Sequence, residues 1–497
     1  MNSDGSFDTR RPSLQHKFMG KGGDALSWFR KFKNGMLGGQ TRADTGFVIE
    51  AEASFESEAF RNRLWYRGQA GELQQYYELY DDRVGNTSFW GARGARGLTF
   101  RKLHCGLPAL MVNALSDIVC TDMLSIRVEG GGGQADWDAI AQANGFDRLL
   151  RRAVRTALAE GDGAFKLSVD AAADAMPFLS FHGGSGVGMV YKRQRLEGIC
   201  FNSEFTENGE SYRLRELYGK DGVTYRLTDR KNKELPLSAT GVTNGLADLA
   251  NPHGFLPAAA LMFDENPRFE GRGRSVYDSK TGVFDALDEC VSQWVDALRD
   301  GRVQTYIPDG YLPRDPETGA LLRPNAFNAR YVVKEDPALE GLTPHIEVVQ
   351  PSISTGALLE SYTTFLDLCL QGILSPSTLG VDVKKLDNAE AQREKEKATL
   401  YTRGRLIAVL RETIPEVVRA ALRTYDWMRG REPGDYGVTV EFGEYANPSF
   451  EAQVETVAKA YAGGIMSVET AVNELYGSSW TAEQKDAEAA RLRGVSP

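Results

Sequence analysis

The stretch Phe284-Asp-Ala-Leu-Asp-Glu-Cys-Val-Ser-Gln-Trp-Val-Asp-Ala-Leu298 indicates the fold more clearly than any other part of the sequence. Its large apolar residues recur at intervals of 3, 4, 3 and 4, which predicts one apolar stripe along a helix from about 275 to 300. The stripe consists of Phe284, Leu287, Val291, Trp294 and Leu298. The other faces carry mostly acidic charge, from Asp285, Asp288, Glu289, Asp296 and Asp300 against Arg299. Such a helix buries one side against a partner.

The segment that follows cannot continue the helix, because residues 302–351 hold seven of the 19 prolines. Short apolar runs at 303–307, 331–334 and 346–349 predict strands, so we interpret the segment as a small β-rich insert. A second helix is predicted at 354–374, with the first helix as its partner. Its apolar face consists of Leu358, Tyr362, Phe365, Cys369 and Ile373.

A polar loop at 375–388 leads into a very long predicted helix at 389–428. Pro415 is expected to kink or restart this helix, and Thr413 with Glu416 has the capping-box spacing that a restart requires. The sequence therefore predicts a long helix that is kinked or restarted at Pro415.

The C-terminal region is predicted to contain a strand at 438–442 and three short helices near 450–462, 467–476 and 481–492. Upstream, residues from about 45 to 270 mix helical and strand patterns and are expected to form an α+β domain, in which Lys220-Asp-Gly222 predicts the turn of a hairpin. Before them lies a basic arm, which is either a solvated tail or a segment that orders on a neighbouring subunit.

The composition limits the classes of function. The chain has 497 residues, with 58 Lys and Arg against 68 Asp and Glu, and this net charge of -10 disfavours a protein that holds nucleic acid through phosphate contacts. Its five cysteines include no CxxC pair, so neither a disulfide framework nor a zinc ribbon is expected. There is no apolar run of membrane-spanning length and no secretory signal, so we expect a soluble protein made inside the cell.

The run His182-Gly-Gly-Ser-Gly-Val-Gly188 is the most enzyme-like string in the chain. It lacks the GxSxG of a nucleophile elbow and the GK[ST] that ends a phosphate-binding loop. The five histidines show no HxxxH or HExxH spacing. We therefore predict no enzyme activity, no metal and no cofactor. An alternative remains open: an intracellular α+β hydrolase-like enzyme in which His182 and Ser185 converge with a carboxylate.

Two helices with apolar stripes on either side of an insert bury too little surface as an isolated pair. Packing against copies of the same chain around a ring is an economical way to cover them. The insert would then cap one end of the ring.

Several loose signatures occur in a fixed order along the chain. They are Tyr66-Arg-Gly68 with Tyr76-Tyr77, Ala153 to Val169, Leu256-Pro-Ala258 with Phe263-Asp-Glu-Asn266, Gly273-Arg-Ser275 before Asp285-Ala-Leu-Asp288, Gly464-Ile-Met-Ser467-Val-Glu-Thr470, and Trp480 to Arg491. In this order, from about Tyr66 to Leu492, the chain resembles the portal proteins of tailed double-stranded DNA bacteriophages, particularly those of long-tailed phages.

The resemblance implies a homo-oligomeric ring of about twelve subunits at one capsid vertex of the virion, assembled in the host cytoplasm. Double-stranded DNA would pass through the channel without sequence-specific contacts. The implied partners are the terminase large subunit, the head-to-tail adaptor, the major capsid protein and a scaffold protein. Another ring of the virion, such as an adaptor or a tail-tube component, is a further alternative.

The resemblance also implies a division of the chain into the parts of a portal subunit. These are an N-terminal arm at 1–45, an α+β wing at 46–274, a first stem helix at 275–301, a clip at 302–352, a second stem helix at 353–374, a tunnel loop at 375–388, a long kinked wing helix with its strand at 389–444, and a crown at 445–497.

Three sets of site residues follow from the resemblance. The DNA-facing tunnel loop would comprise Val381, Asp382, Lys384, Lys385 and Asp387. Packing between the stems of neighbouring subunits would involve Phe284, Leu287, Val291, Trp294, Leu298, Leu358, Tyr362 and Phe365. The docking surface of the clip would comprise Asp309, Tyr311, Arg314, Asp315 and Glu317. The two lysines either touch phosphates transiently or are simply solvated, and the acidic stem helix would repel passing DNA.

Overall fold

The fold is described from a computed structural model. The description covers residues 54–84, 88–92, 101–130, 132–170, 174–308, 314–320, 331–334, 345–381, 389–443, 450–477 and 480–493. The predicted arm at 1–45 lies outside these residues.

Helices dominate the first part of the described chain. They are α1 (Phe55–Arg67), α2 (Ala70–Val84), α3 (Leu107–Thr121), α4 (Gly133–Asn144) and α5 (Phe146–Glu160). The side chain of Ser54 starts α1 by accepting a hydrogen bond from the N–H of Ser57 at 3.2 Å, and Gly68 ends it with φ at 64°. The helical spacing of apolar residues in α5 is explained by burial: Leu149, Leu150, Ala153, Val154 and Ala157 are all buried.

Strands follow in two antiparallel sheets. The first contains β2 (Asp162–Ser168), β3 (Phe178–Gly183) and β10 (Ala258–Met262), in the order β10-β2-β3. The second contains β4 (Val187–Lys192), β5 (Arg195–Glu207), β6 (Glu210–Gly219), β7 (Gly222–Asp229), β8 (Glu234–Leu235) and β9 (Leu249–Ala250). Its order is β4-β5-β6-β7-β8, with β9 paired to β7. The hairpin predicted around Lys220-Asp-Gly222 joins β6 to β7, so this prediction is confirmed.

Two helices and a small sheet come next. They are α6 (Thr281–Asp300), β11 (Gln304–Pro308), β12 (Tyr331–Lys334), β13 (Glu347–Val349) and α7 (Thr355–Leu370). The three strands form a sheet of order β12-β11-β13. Helix α6 begins at Thr281 and not at about 275, because Ser275 is held by the end of α5: its hydroxyl donates to the carbonyl of Ala159 at 2.6 Å.

The long helix α8 (Ala389–Met428) continues through Pro415, so of the two predicted alternatives the restart is wrong and the kink stays a prediction. Proline removes one backbone donor, but the buried side chains of Ile414, Val417 and Val418 hold the helix against the core on both sides of it. After α8, β14 (Gly437–Phe442) pairs with β1 (Met123–Glu129) in an antiparallel sheet.

One large hydrophobic cluster joins α3, α5, α6, α7 and α8 around the β10-β2-β3 sheet. It includes Leu115, Val154, Phe165, Phe284, Leu370 and Leu410. A smaller cluster lies under the larger sheet and includes Ile199, Phe201, Tyr218, Val223 and Ala258. The chain therefore has an α+β fold with several separate sheets, which confirms the predicted fold class.

The chain ends in α9 (Phe450–Ala462), α10 (Val468–Tyr476) and α11 (Ala482–Leu492), close to the three short helices that were predicted. Within the described part of the chain, no helix is both long enough and apolar enough to span a bilayer.

Candidate functional site

Helices α6 and α7 form an antiparallel hairpin that carries the three-stranded sheet. At one end, the ammonium group of Lys280 donates to the carbonyls of Leu368 at 2.7 Å and Gln371 at 3.1 Å, which satisfies the C-terminal end of α7. At the other end Gly301 packs against Ile353. A helix of 20 residues such as α6 is about 30 Å long, so this distance separates the base of the hairpin from its sheet.

Helix α6 packs against α7, as predicted, and its apolar stripe is buried unevenly. Phe284 and Leu287 are each 1% exposed within the single chain, so the expectation that they pack between subunits is corrected: no surface of either side chain is left for a neighbour. Farther along, Trp294 meets Tyr362 edge to face, with ring centroids 6.2 Å apart. Leu298 is 51% exposed.

The remaining members of the predicted stem set lie between these extremes. Val291, Trp294, Leu358, Tyr362 and Phe365 are half-buried. Each therefore keeps part of its surface available, and intersubunit packing by these five residues and Leu298 stays a prediction.

The acidic face of α6 differs from the expectation. A strap, defined here as residues 88–92 and 101–105, lies across the base of the helix and binds its acidic side chains. Asp285 accepts hydrogen bonds from the N–H groups of Phe89 at 2.7 Å and Trp90 at 3.1 Å. Burial raises the pKa of Asp285 above its ordinary value.

Asp288 is enclosed completely by the strap, with 0% exposure. Its carboxylate contacts three donors: the indole N–H of Trp90 at 3.1 Å, the N–H of Cys105 at 2.9 Å and Nδ1 of His104 at 2.7 Å. Two of the five acids that were expected to repel DNA are therefore bound inside the subunit. The sequence contained one signal of this arrangement, since Asp288 is four residues after Phe284 and so borders the buried stripe.

The sheet at the far end of the hairpin exposes apolar residues. Strand β13 is an outer strand of that sheet, and all three of its residues are exposed. The exposed apolar residues here are Val303 at 44%, Ile346 at 54%, Val348 at 64% and Val349 at 36%. An outer strand also presents unpaired N–H and C=O groups.

Part of the predicted docking surface of the clip can be located. The Asp315 carboxylate accepts from the N–H groups of Glu317 at 2.8 Å and Thr318 at 3.1 Å, which lowers its pKa and closes a tight turn. Arg314 and Glu317 are exposed on the same turn. Asp309 and Tyr311 lie outside the described residues.

Of the predicted tunnel loop at 375–388, residues 375–381 are described, whereas Asp382, Lys384, Lys385 and Asp387 lie outside the described residues. Val381 is described, and its side chain packs half-buried against the main cluster, so its role in facing DNA stays a prediction. It also lines a cavity of about 590 Å³ between the end of α7 and α8, together with Leu366, Leu370, Pro376 and Ala398.

The His182–Gly188 run separates the residues that an enzyme would need together. His182 lies in β3, where its ring is 3.2 Å from the Ser180 hydroxyl; burial, with Lys166 and Arg152 nearby, lowers its pKa to about 4. The N–H of Ser185 donates to the Glu160 carboxylate at 3.1 Å, and its hydroxyl accepts from Arg63 at 3.2 Å. Thus Ser185 contacts a carboxylate, whereas His182 hydrogen-bonds to a different serine.

Among the described residues, no group of three or more His, Cys, Asp or Glu side chains is arranged to hold a metal ion.

Comparisons with known proteins give the following. No protein-family model matches the chain, and no curated protein matches it. Among solved structures, it is similar to a chain in the virion of a native gene transfer agent particle, with a TM-score of 0.36 and 13% identity over 85% of this chain and 99% of that one.

Two further similar structures are neck chains of gene transfer agent particles. For the native particle the TM-score is 0.36 with 13% identity, and for the empty particle it is 0.35 with 14% identity. In both cases the match covers 79% of this chain and 90% of the other. At TM-scores below 0.5, these similarities assign neither a family nor a function to the chain.

Proposed function

We propose that the chain is a portal subunit: a structural protein that forms a ring of about twelve copies at a capsid vertex, through which DNA is packaged and ejected. The observation that carries the proposal is the α6–α7 hairpin, whose far end bears a sheet with exposed apolar side chains. A helix pair of this kind projects a sheet away from the main core, and the described apolar residues Val303, Ile346 and Val348 stay exposed there. A ring of copies covers such surfaces in a closed assembly.

The proposed roles of the parts follow from this arrangement. The outer strand β13, with Ile346, Val348 and Val349, contacts the neighbouring subunit, and the turn at Arg314–Glu317 faces docking partners such as the terminase large subunit or the head-to-tail adaptor. The half-buried residues of the hairpin line the contact between stems. The protein acts as a conduit in the virion and performs no catalysis of its own.

The low affinity for DNA that a conduit requires is consistent with the net charge of -10. On α6, the acids left for such repulsion are Glu289, Asp296 and Asp300, because the strap binds the other two. Of these, Asp296 is already paired with Arg299 at 3.1 Å. Repulsion by the stem is therefore weaker than the sequence alone suggests.

The test is the mass of the purified assembly. Twelve copies of 54.7 kDa make a particle of roughly 656 kDa, which light scattering and negative-stain images identify directly. Val348→Asp, which places a charge on the outer strand, should lower this mass towards that of one chain. Val242→Asp alters a residue of similar exposure, 62% against 64%, outside the hairpin and should leave the ring intact.

A protein that remains a monomer when concentrated, with or without a scaffold protein, would contradict the proposal. An intact ring that withstands Val348→Asp would contradict the role given to β13.

A further inference from the structure

Helix α5 carries a stripe of arginines on its outer face. Four arginines recur at positions i, i+3, i+4 and i+7, so their side chains leave the same side of the helix. The opposite side holds the buried apolar residues that pack in the main cluster. The arginine stripe, as it is called below, consists of Arg148, Arg151, Arg152 and Arg155. Arg148 and Arg152 are exposed, and the other two are half-buried.

The subunit neutralises little of the charge on this face. Within the described chain, the stripe forms ion pairs with Asp117 of α3, whose Oδ1 atom lies 2.7 Å from Arg155 and 3.5 Å from Arg151. Arg148 and Arg152 form no ion pair with a described residue. Four positive charges therefore share one negative partner, in a chain whose net charge is -10.

The residue type indicates an oxyanion partner. A face that only has to be solvated commonly mixes charges of both signs, but the stripe contains one sign. It also contains no lysine. The planar guanidinium group of arginine binds a phosphate through two parallel hydrogen bonds, which an ammonium group cannot do. The stripe therefore suits phosphate groups.

The length of the stripe fits a regular row of phosphates. Arg148 and Arg155 are seven residues apart, which is about 10.5 Å along the helix axis. Over that distance a DNA duplex presents about six phosphate charges. The carboxylates of an acidic protein surface are not spaced in such a row. Between these two polyanions, the stripe fits the duplex better.

We propose that the arginine stripe binds the phosphate backbone of duplex DNA without regard to base sequence. This inference rests on the proposed function in one respect, since that function brings a duplex to the protein. The negative charge of the rest of the chain repels DNA, which confines the contact to this helix. Each subunit binds weakly, because it neutralises at most four phosphates and Asp117 offsets one arginine.

The test is a titration of the full chain with a fluorescently labelled duplex of mixed sequence, measured by anisotropy at about 50 and about 200 mM salt. With four phosphate contacts, the affinity of one subunit should fall about 100-fold over this range. Arg148→Ala/Arg152→Ala removes the two arginines that lack an ion pair. Its affinity should be lower at the lower salt concentration and should fall only about tenfold over the range, because two contacts remain.

The matched control is Arg195→Ala/Arg226→Ala, which removes two exposed arginines from β5 and β7 and changes the net charge equally. It should keep the salt dependence of the unmodified protein. Arg148→Lys/Arg152→Lys retains the charge and should keep most of that dependence. Equal weakening by the two alanine variants would overturn the proposal, and so would an unmodified protein that does not bind the duplex at about 50 mM salt.

Two further measurements separate this proposal from its alternatives. Oligo-glutamate that binds more tightly than the duplex at equal total charge would overturn the assignment to DNA in favour of an acidic protein. Light scattering of the same samples tests the ring independently. A full-size ring whose DNA binding is unchanged in Arg148→Ala/Arg152→Ala overturns the role of the stripe and leaves the ring. A monomer whose DNA binding depends on the stripe overturns the ring and supports the stripe.

Discussion

At the scale of single residues, Asp288 is a buried carboxylate whose acceptor capacity is used by three donors from the strap. Asp288→Ala would leave these three donors buried without an acceptor, and because each unsatisfied buried group costs about 1–3 kcal/mol, the total loss is expected to be about 3–5 kcal/mol. We expect the free energy of unfolding in urea to fall by about that amount. Asp300→Ala, at an exposed position of the same helix, should change it by less than about 0.5 kcal/mol. Equal losses in the two variants would show that the strap does not stabilise the fold.

His182 makes stability depend on pH. Its pKa is lowered to about 4 in the folded protein, by burial and then by Lys166 and Arg152, against about 6.5 in the unfolded chain. The unfolded chain therefore takes up a proton first as the pH falls, and the stability from neutral His182 is present above pH 6.5 and lost towards pH 4.

Between pH 7 and about pH 4.5, proton uptake by His182 in the unfolded chain should lower the free energy of unfolding by about 1–2 kcal/mol, after allowance for partial solvent screening. Urea titrations of the native protein and of His182→Gln at both pH values measure it. The variant should lose less stability on acidification, and identical losses would refute the assignment.

At the scale of elements, sequence patterns predicted those features that depend on interactions between residues close together in the chain. The apolar stripe of α6 and the turn between β6 and β7 depend on neighbours in sequence, and both were predicted. The start of α6 was misplaced because Ser275 is bound by a carbonyl 116 positions away. The restart at Pro415 was wrong because burial on both sides of the proline outweighs its missing donor. The strap was missed because its contacts with Asp285 and Asp288 span more than 180 positions.

Two glycines of the α6–α7 hairpin test how tightly its helices pack. A Cβ at Gly301 would overlap the Cγ1 and Cδ1 atoms of Ile353, whereas a Cβ at Gly282, in the first turn of α6, meets nothing within 4 Å. Gly301→Ala should therefore lower the free energy of unfolding by about 1–3 kcal/mol. Gly282→Ala should raise it by about 0.5–1 kcal/mol, since alanine restricts the unfolded chain. Thermal unfolding of the two variants measures whether each substitution lowers or raises stability. A loss of stability in both variants would mean that lack of space at Gly301 is not the reason for the loss there.

At the scale of the whole molecule, the three C-terminal helices have a small core of their own. Its buried apolar residues are Val457, Ala471, Val472 and Ala489. None of them belongs to either of the two larger clusters of described residues. Deletion of residues 450–497 should therefore preserve the main unfolding transition to within a few degrees, measured by calorimetry. A collapse of that transition would mean that the main core depends on these helices.

The candidate site was predictable only in part at this scale. The order of helix, insert and helix could be predicted because prolines and apolar spacing mark it. The sequence could not predict which side chains stay exposed for contact with a neighbouring subunit. The single chain buries Phe284 and Leu287 and leaves Leu298 and Val348 exposed. That outcome depends on contacts with the main core and the strap, which no local pattern encodes.

The strap holds one end of the α6–α7 hairpin and leaves the end with the sheet free. Hydrogen bonds from Phe89, Trp90 and Cys105 clamp the base of α6, while the sheet lies about 30 Å away at the free end. A sideways load on the sheet therefore becomes a bending moment at the clamp, where it is opposed by buried polar bonds. A force applied to that sheet would therefore be transmitted first to Asp285 and Asp288, far from the point of contact.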